Sequence, residues 1–196
     1  MTTEGDQTRA RLLREARDLY LEDGFGRFSL REVARRAEVS AAAVYRHFEN
    51  KEALLGEVCQ AGLQVFYGYL VRALSAPTPL ERLGATSTQY LRFGLENSRD
   101  YRVLFMGGAQ EFQSAATARQ QGPHPTFQFL VDRIRECMAG GVLKVGEAQE
   151  VATVVWAHAH GLVSLRLAGQ LERVGDDAAF AGLYHRAMQQ LVEGLA

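Results

Sequence analysis

Hydrophobic positions recur along the whole chain at intervals of three and four residues, which is the period of an α-helix with one buried face. The N-terminal part carries two such stripes, which are Leu12, Ala16, Leu19 and Tyr20, and then Leu30, Val33, Ala34 and Ala37. No segment sustains the alternation of β-branched and polar residues, with a period of two, that marks a half-buried strand. The pattern therefore predicts an all-α fold.

Cap residues divide the N-terminal part into three helices. Gly24 ends a first helix predicted over about residues 6–22. Ser29 caps a second helix, and Glu32 follows three residues later in the position of a capping box. A third helix begins at Ser40, and only a tight turn fits between the second helix and the third. This order predicts a helix-turn-helix unit packed on a first helix.

The remaining chain continues as longer helices that are separated by pairs of prolines. A fourth helix is predicted from Asn50 to about Leu74. Residues 107–125 are rich in glycine, glutamine and alanine without a clear stripe, so we expect a mobile connection there. We assign residues 1–50 to one domain, with the helix-turn-helix at about 29–48, and residues 51–196 to a second domain. The further predicted helices span residues 79–97, 99–106, 124–139, 147–171 and 177–194.

The third helix is bare at its start and carries large polar side chains at its end. Ser40 is followed by alanines at positions 41–43, which let the backbone approach closely in a DNA major groove about 12 Å wide. Val44 and Phe48 lie on the core side, whereas residues 45–47 place hydrogen-bond donors outside. This arrangement suits a recognition helix in the major groove. The residues alone fit a plain helical hairpin that faces solvent equally well.

The overall charge gives no sign of a polyanionic partner. The chain holds 22 Lys and Arg against 23 Asp and Glu, a net charge of −1, so DNA binding would rest on where the basic side chains point. Lys51 is informative because a cation in the first turn of a helix opposes the helix dipole. Its position makes sense if a phosphate binds at the same helix N-terminus.

Residues 24–58, GFGRFSLREVARRAEVSAAAVYRHFENKEALLGEV, resemble the N-terminal domain of the TetR family of bacterial transcriptional regulators. The glycine-aromatic pair, the Ser-x-Arg-Glu-Val-Ala run, the Tyr-Arg-His-Phe block and the Lys-Glu-x-Leu-Leu run fall at the family's spacing. Two residues depart from it, because Glu38 replaces a glycine and Ala41 replaces a residue that is often polar or basic. The resemblance implies DNA contacts from Arg31, Ala41, Ala42, Ala43, Tyr45, Arg46, His47 and Lys51, to which we add the cap residue Ser40.

A motif in the second domain extends the resemblance. Trp156 with His160-Gly161 is similar to the Trp…His-Gly signature of one C-terminal subgroup of TetR-like regulators. The same helix carries a stripe of small residues, which would let another helix approach closely. With the last helix it predicts a four-helix homodimer interface, and packing within one subunit is the alternative. The predicted interface residues are Ala157, Gly161, Ser164, Ala168, Leu183, Ala187 and Leu191.

Large aromatic and polar-tipped residues recur on successive helices after residue 58. Small-molecule pockets are mostly apolar with a few placed polar groups, although aromatic residues at helical spacing also build ordinary cores. His160 is the leading candidate because a buried histidine needs a partner, which a ligand or a carbonyl group can supply. The predicted ligand-binding residues are Phe66, Tyr69, Tyr90, Phe93, Phe105, Met106, Phe127, Trp156 and His160.

The residues do not support other classes of function. There is no nucleophile-base pair, glycine-rich phosphate loop or metal-ligand set, so we predict no catalytic site, metal or cofactor. Cys59 and Cys137 match no metal-site spacing. No apolar run reaches the roughly 18–20 residues of a membrane span, and the N-terminus lacks a secretory signal. We therefore expect no membrane association and a cytoplasmic protein.

Together these features predict a homodimeric, TetR-like transcriptional regulator. We expect it to repress from a palindromic, double-stranded DNA operator and to be released by a small, largely apolar effector of unknown identity. An enzyme with a helix-turn-helix-like start is one alternative. A regulator without a small effector, controlled by a protein partner or by its cysteines, is another.

Overall fold

The computed structural model describes residues 4–107 and 124–196, and both ranges are built from helices without any strand. The prediction of an all-α fold is confirmed. Most of the expected mobile connection, residues 108–123, lies outside the described residues. Across the described ranges, no helix is both long and apolar enough to cross a lipid bilayer.

The helices follow the predicted order closely. Short 3-10 turns at Val71–Ser75 and Glu172–Val174 follow the fourth and the eighth helix, and a π turn at Arg102–Met106 follows the sixth. The helices are α1 (Glu4–Arg27), α2 (Leu30–Arg36), α3 (Ala41–His47), α4 (Lys51–Leu70), α5 (Pro79–Glu96), α6 (Ser98–Tyr101), α7 (Pro125–Ala139), α8 (Ala148–Leu167) and α9 (Asp177–Leu195).

Contacts divide the described chain into two compact units. The first contains residues 4–64 and 99–107, and the second contains residues 65–98 and 124–196. The division falls inside α4, whereas the predicted boundary between DNA-binding and effector domains stands at residue 50. The predicted boundary separates a DNA-binding role from an effector-binding role, which contacts alone do not test, so it stays a prediction.

The first unit has its core where the stripes of α1 and α2 predict it. All eight stripe residues are buried, and α3 and α4 add further side chains to the same core. Each large apolar side chain stabilises the fold by roughly 1.5–3 kcal/mol relative to an exposed position. The side chains with no exposed surface include Leu12, Leu19, Val33, Val44, Leu54 and Leu55.

Helix α1 ends differently from the prediction. Gly24 has φ 69° and ψ 174°, which are not helical angles, although a further turn of the helix extends to Arg27. Gly24 therefore breaks α1 where the sequence places a stop, and the following residues form another turn. A positive φ of this kind suits glycine, because glycine has no Cβ.

The N-terminus of α2 forms only half of the predicted capping box. The Ser29 hydroxyl accepts the backbone N–H of Glu32 at 3.2 Å, as predicted. The Glu32 carboxylate instead accepts Arg35 Nη2 at 2.6 Å and Arg36 Nε at 3.3 Å. The second half of the box is therefore wrong among the described contacts, because two nearby guanidinium groups compete for the same carboxylate.

The turn between α2 and α3 depends on Glu38. Glu38 has φ 54° and is left-handed, and its N–H donates to Arg35 O at 3.3 Å. The N–H of Val39 donates to Ala34 O at 3.0 Å, which completes the pair of hydrogen bonds of a Schellman motif. A residue with a Cβ costs about 1–2 kcal/mol in this conformation. The departure from glycine noted in the sequence thus lies at a strained position.

The second unit packs α5, α7, α8 and α9 around large apolar side chains. The hydroxyl of the buried Tyr184 on α9 donates to Ser87 O on α5 at 3.1 Å. Burial raises the pKa of Tyr184, so the neutral phenol that makes this hydrogen bond is the stable form. The fully buried side chains of this unit include Phe93, Ile134, Val163, Phe180 and Tyr184.

An ion-pair cluster joins α5 to α7. Arg82 Nε donates to Glu136 Oε2 at 3.0 Å, and Arg133 Nη2 donates to Glu136 Oε1 at 2.7 Å. Arg82 also reaches the carbonyl oxygens of Ala76 and Pro77, both at 3.0 Å. Burial raises the pKa of Glu136, but the hydrogen bonds from the two arginines outweigh it and hold that pKa below its ordinary value. The carboxylate is therefore stabilised in its charged form.

Candidate functional site

The two sides of α3 differ as the sequence predicts. The Ser40 hydroxyl caps the helix by accepting the N–H of Ala43 at 3.1 Å. Val44 and Phe48 are buried, while Tyr45 is 57% exposed. The remaining predicted contacts follow the same division, because Ala41, Ala42 and Arg46 are exposed, His47 is half-buried, and Ala43 is buried. Ala43 therefore has little surface to present, whereas its neighbours form an outer face of small side chains followed by large ones.

An open concavity lies beside α3, where the N-terminal ends of α2 and α4 meet. Its volume is about 420 Å³, and it includes three predicted DNA-binding residues, Arg31, Tyr45 and Lys51. We call it the helix-end concavity. Its lining also contains two acidic side chains, Glu49 and Glu52. The complete lining is Phe28, Ser29, Leu30, Arg31, Tyr45, Glu49, Asn50, Lys51 and Glu52.

Lys51 is the first residue of α4 and is held by the end of α1. Its Nζ lies 3.9 Å from the centroid of the Phe25 ring and donates to Phe25 O at 3.4 Å. The preceding residue, Asn50, caps α4, because its Oδ1 accepts the N–H of Ala53 at 2.7 Å. Sequence reasoning did not identify the contact with Phe25. The only signal in the sequence was the unfavourable place of a cation at a helix N-terminus.

Salt bridges separate the basic side chains of the first unit into two groups. Arg35 pairs with Glu32, and Arg36 pairs with both Glu22 and Glu32. The hydrogen bond from Arg35 is the main reason why the pKa of Glu32 is lowered to about 2. Within residues 4–107 and 124–196, neither Arg31 nor Arg46 forms a salt bridge. Positive charge thus remains at the two predicted DNA-binding arginines although the whole chain is nearly neutral.

The predicted ligand-binding residues of the second unit form one continuous series of ring contacts. Tyr69 packs on Phe93, with 5.8 Å between centroids, and Phe93 packs on Phe66 at 4.8 Å. Phe66 packs on Tyr90 at 5.6 Å, and Phe127 packs on Trp156 at 6.3 Å. The structure therefore brings seven of the nine predicted residues together. His160 connects the group that ends at Tyr90 to the pair formed by Phe127 and Trp156.

His160 connects this series through two neighbours. Its ring stacks on Trp156 with 5.6 Å between centroids, and its Nδ1 lies 3.4 Å from the Tyr90 hydroxyl. Burial lowers the pKa of His160, so the neutral imidazole is favoured. A neutral imidazole has one donor and one acceptor nitrogen, which suits a polar group placed among aromatic rings.

Two predicted ligand-binding residues belong to the first unit instead. Phe105 packs on Tyr101 with 5.0 Å between ring centroids, and Met106 is exposed. Both lie in the π turn that follows α6. Their place in a common pocket with the seven residues of the second unit stays a prediction.

The small residues of α8 lie at the surface of the subunit. Ala157 and Ala168 are exposed, and Gly161 and Ser164 are half-buried. A Cβ added to Gly161 would meet no atom within 4 Å, so this position faces open space. On α9, the predicted interface residues Leu183, Ala187 and Leu191 are all half-buried. Each helix thus leaves part of its predicted interface uncovered in the single chain.

The described residues offer little support for chemistry outside binding. No cluster of three His, Cys, Asp or Glu side chains within them is arranged to hold a metal ion. Cys59 and Cys137 are both buried, and burial raises the pKa of Cys137. Both thiols are thus poorly placed for oxidation, which requires an accessible thiolate.

Two family models match the chain. The model described as bacterial regulatory proteins, tetR family, matches residues 12–58. The model described as tetracyclin repressor-like, C-terminal domain, matches residues 83–191, which is more than half of the chain. These matches do not identify the Trp-His-Gly subgroup, and membership in it stays a prediction.

Curated relatives are similar over shorter stretches. The HTH-type transcriptional regulator UidR from Escherichia coli (strain K12) is 38% identical over 55 residues, which is 28% of this chain and 28% of that protein. The HTH-type transcriptional activator FasR from Mycolicibacterium smegmatis is 30% identical over 101 residues, which is 51% of this chain and 46% of that protein. The chain therefore matches less than half the length of each of these two relatives.

Solved structures match over nearly the whole chain. A protein of unknown function from Rhodococcus sp. RHA1 is 27% identical with a TM-score of 0.75, and the match covers 96% of this chain and 95% of that one. The TetR family transcriptional regulator PfmR from Thermus thermophilus is 20% identical with a TM-score of 0.73, covering 95% and 99%, which shows a shared fold. From its helix-turn-helix and from the models matched at both ends, the chain belongs to the TetR family of DNA-binding transcriptional regulators.

Proposed function

We propose that the protein is a homodimeric repressor that binds a palindromic operator through the outer face of α3. The observation that carries this proposal is the combination of an exposed α3 face with Arg31, Tyr45 and Lys51 around one concavity. Two copies related by a two-fold axis would place their recognition helices in successive major grooves, so the two half-sites mirror the symmetry of the dimer.

The residues of α3 support a division between sequence readout and phosphate binding. Arg46 is long, exposed and without a salt bridge in the described structure, so it is suited to a bidentate contact with guanine. Ala41 and Ala42 are short enough to meet thymine methyl groups. Tyr45 and Lys51 border the helix-end concavity, where the N-terminal ends of α2 and α4 favour a phosphate. Ser40 lies just before the residues of α3 that make these contacts, and His47 lies just after them.

The aromatic series of the second unit supports a small, largely apolar effector. Three of its seven side chains are phenylalanine rings, and the Tyr90 hydroxyl and His160 supply polar atoms among the aromatic rings. An effector releases DNA only if it binds better to a conformation of the dimer that no longer fits two half-sites. We expect Phe66, Phe93, Trp156 and His160 to contact it.

The exposed small residues of α8 support the dimer interface, because two such helices can approach closely and pair with α9 of each subunit.

Repression is favoured over activation by the simplest consequence of operator binding, which is exclusion of other proteins from the same DNA. The relative FasR is named an activator. A reporter placed behind the selected operator separates the two, because a repressor lowers and an activator raises its expression.

Selection of bound DNA from a random pool tests the proposal directly. We expect a palindromic motif with two half-sites about one helical turn apart. Arg46→Ala and Lys51→Ala should lose affinity with the fold intact, whereas Arg135→Ala, an exposed arginine of the second unit, serves as the matched control. A protein that enriches no sequence, or one that enriches a single asymmetric half-site, would contradict the proposal.

A further inference from the structure

Lys51 carries its charge at an unfavourable place, which calls for a physical explanation. A cation in the first turn of α4 opposes the helix dipole. Lys51 forms no salt bridge within the described residues that would offset this cost. Its described partners are the backbone carbonyl and the ring of Phe25, at the end of α1.

The contact with Phe25 fixes the ammonium group from two directions. The π face of the ring attracts the cation at 3.9 Å, and the carbonyl oxygen accepts a hydrogen bond at 3.4 Å. A free lysine side chain loses conformational entropy when it is ordered. Because part of that ordering occurs in the absence of DNA, binding of a phosphate costs less.

We propose that Phe25 is a positioning residue that holds the Lys51 ammonium at the end of α1, ready for a DNA phosphate. The inference rests on the proposed function, because it assumes that Lys51 contacts DNA. In this proposal Phe25 acts on DNA binding through Lys51. Gly24 breaks α1 one residue before Phe25. The backbone turn at Gly24 therefore helps to set the position of Phe25, and through it the position of the Lys51 ammonium.

A double-mutant cycle tests the proposal with the full-length protein. The probes are the operator recovered from the random pool and a random-sequence duplex. Phe25→Leu keeps an apolar side chain but removes the π face, and we expect about two- to fivefold weaker binding to both probes. Phe25→Tyr keeps the ring and should bind like the wild type. In the Lys51→Ala background, Phe25→Leu should cause no further loss.

The dependence of affinity on salt provides a second readout. Lys51→Ala should reduce the slope of log K against log salt by about 0.9 for each phosphate that the variant no longer binds. An equal loss of affinity for Phe25→Leu with and without Lys51 would show a purely structural role and overturn the proposal. So would an unchanged salt slope in Lys51→Ala, even if the wild type selects an operator. If the wild type selects no DNA, the proposed function fails instead, and this inference fails with it.

Fluorinated phenylalanines at position 25 keep the test decisive if Phe25→Leu does not fold. Each added fluorine weakens the negative face of the ring with little change in size. We expect affinity to fall stepwise with fluorination in the wild-type background and to stay constant with Lys51→Ala. Affinity that is independent of fluorination in the wild-type background would overturn the proposal.

Discussion

At the scale of single residues, pairing and exposure decide which basic side chains can meet DNA. Arg35 pairs with Glu32, and Arg36 pairs with Glu22 and Glu32, whereas Arg31 and Arg46 carry no salt bridge in the described structure. A chain with a net charge of −1 can therefore present positive charge locally, where the field acts on a phosphate. Part of this distinction is local, because Glu32 stands three and four residues before Arg35 and Arg36 on the same helix. The pairing of Arg36 with Glu22 depends on tertiary packing, which the sequence does not show.

Arg46 carries the sequence preference in our proposal. Arg46→Ala should reduce discrimination at one base position of each half-site by about 1–3 kcal/mol. Lys51→Ala is the comparison, because removal of a phosphate contact should weaken binding to all sequences alike. Competition binding with single-base operator variants measures both effects. If Arg46→Ala keeps the full preference, readout must come from Arg31 or from DNA shape.

Glu38 offers a direct test of local strain. Glu38→Gly should stabilise the protein by about 1 kcal/mol, because glycine adopts the left-handed conformation without the Cβ penalty but loses more entropy on folding. Urea denaturation measures the change in the free energy of unfolding. Glu38→Ala is the matched control and should give no such gain, since alanine also has a Cβ. Equal stabilisation by both would point to removal of the charge instead.

At the scale of elements, the order and type of the helices could be predicted because each has a stripe and recognisable ends. The predicted caps Ser29 and Ser40 accept the expected backbone N–H groups, and Asn50, predicted only as the start of the fourth helix, also acts as a cap. The errors lie in two local details that stripes and caps do not record. Glu32 bonds arginines instead of closing its capping box, and residues 102–106 form a π turn instead of continuing an α-helix.

The ion-pair cluster of α5 and α7 makes a prediction about pH. Because the pKa of Glu136 is lowered in the folded state, its stabilisation is present above the ordinary carboxyl pKa of about 4.3 and is lost as the pH falls through the folded-state value. Glu136→Gln should lower stability by about 1 kcal/mol at neutral pH, and the difference from the wild type should be smaller at an acidic pH below the ordinary carboxyl value. Thermal melts at both pH values measure this.

Asp132→Asn provides the control for this prediction. Asp132 pairs with Arg135 on the exposed side of the same helix, and exposed pairs contribute little. Its substitution should leave the melting temperature nearly unchanged at both pH values. A pH-independent effect of Glu136→Gln would show that the cluster acts through packing and not through charge.

At the scale of the whole molecule, the proposed function depends on a second copy of the chain. The exposed small residues of α8 are expected to lie against their counterparts, as the dimer proposal requires. Ala157→Arg adds a long cation at an exposed position, so the subunit should fold normally but remain monomeric. Loss of the second recognition helix should then weaken operator binding by about a hundredfold.

Sedimentation and operator titration together check this prediction. Gln189→Arg on α9 is the matched control, because it adds the same charge at an exposed position that the proposed interface does not use. It should remain dimeric with unchanged affinity. A monomeric Ala157→Arg protein that binds the operator as tightly as the wild type would contradict the dependence on dimerisation.

The sequence by itself determined the all-α architecture, the helix-turn-helix and the family, because helical periodicity, caps and short-range motifs are local properties of the chain. It also placed Val44 and Phe48 inside and Tyr45 and Arg46 outside, since one helical turn fixes those directions. Only the tertiary structure decided that Arg36 also pairs with Glu22, that Phe25 holds Lys51, and that His160 lies beside Tyr90. Such contacts join residues distant in sequence, and their partners are chosen by packing, which no local pattern records.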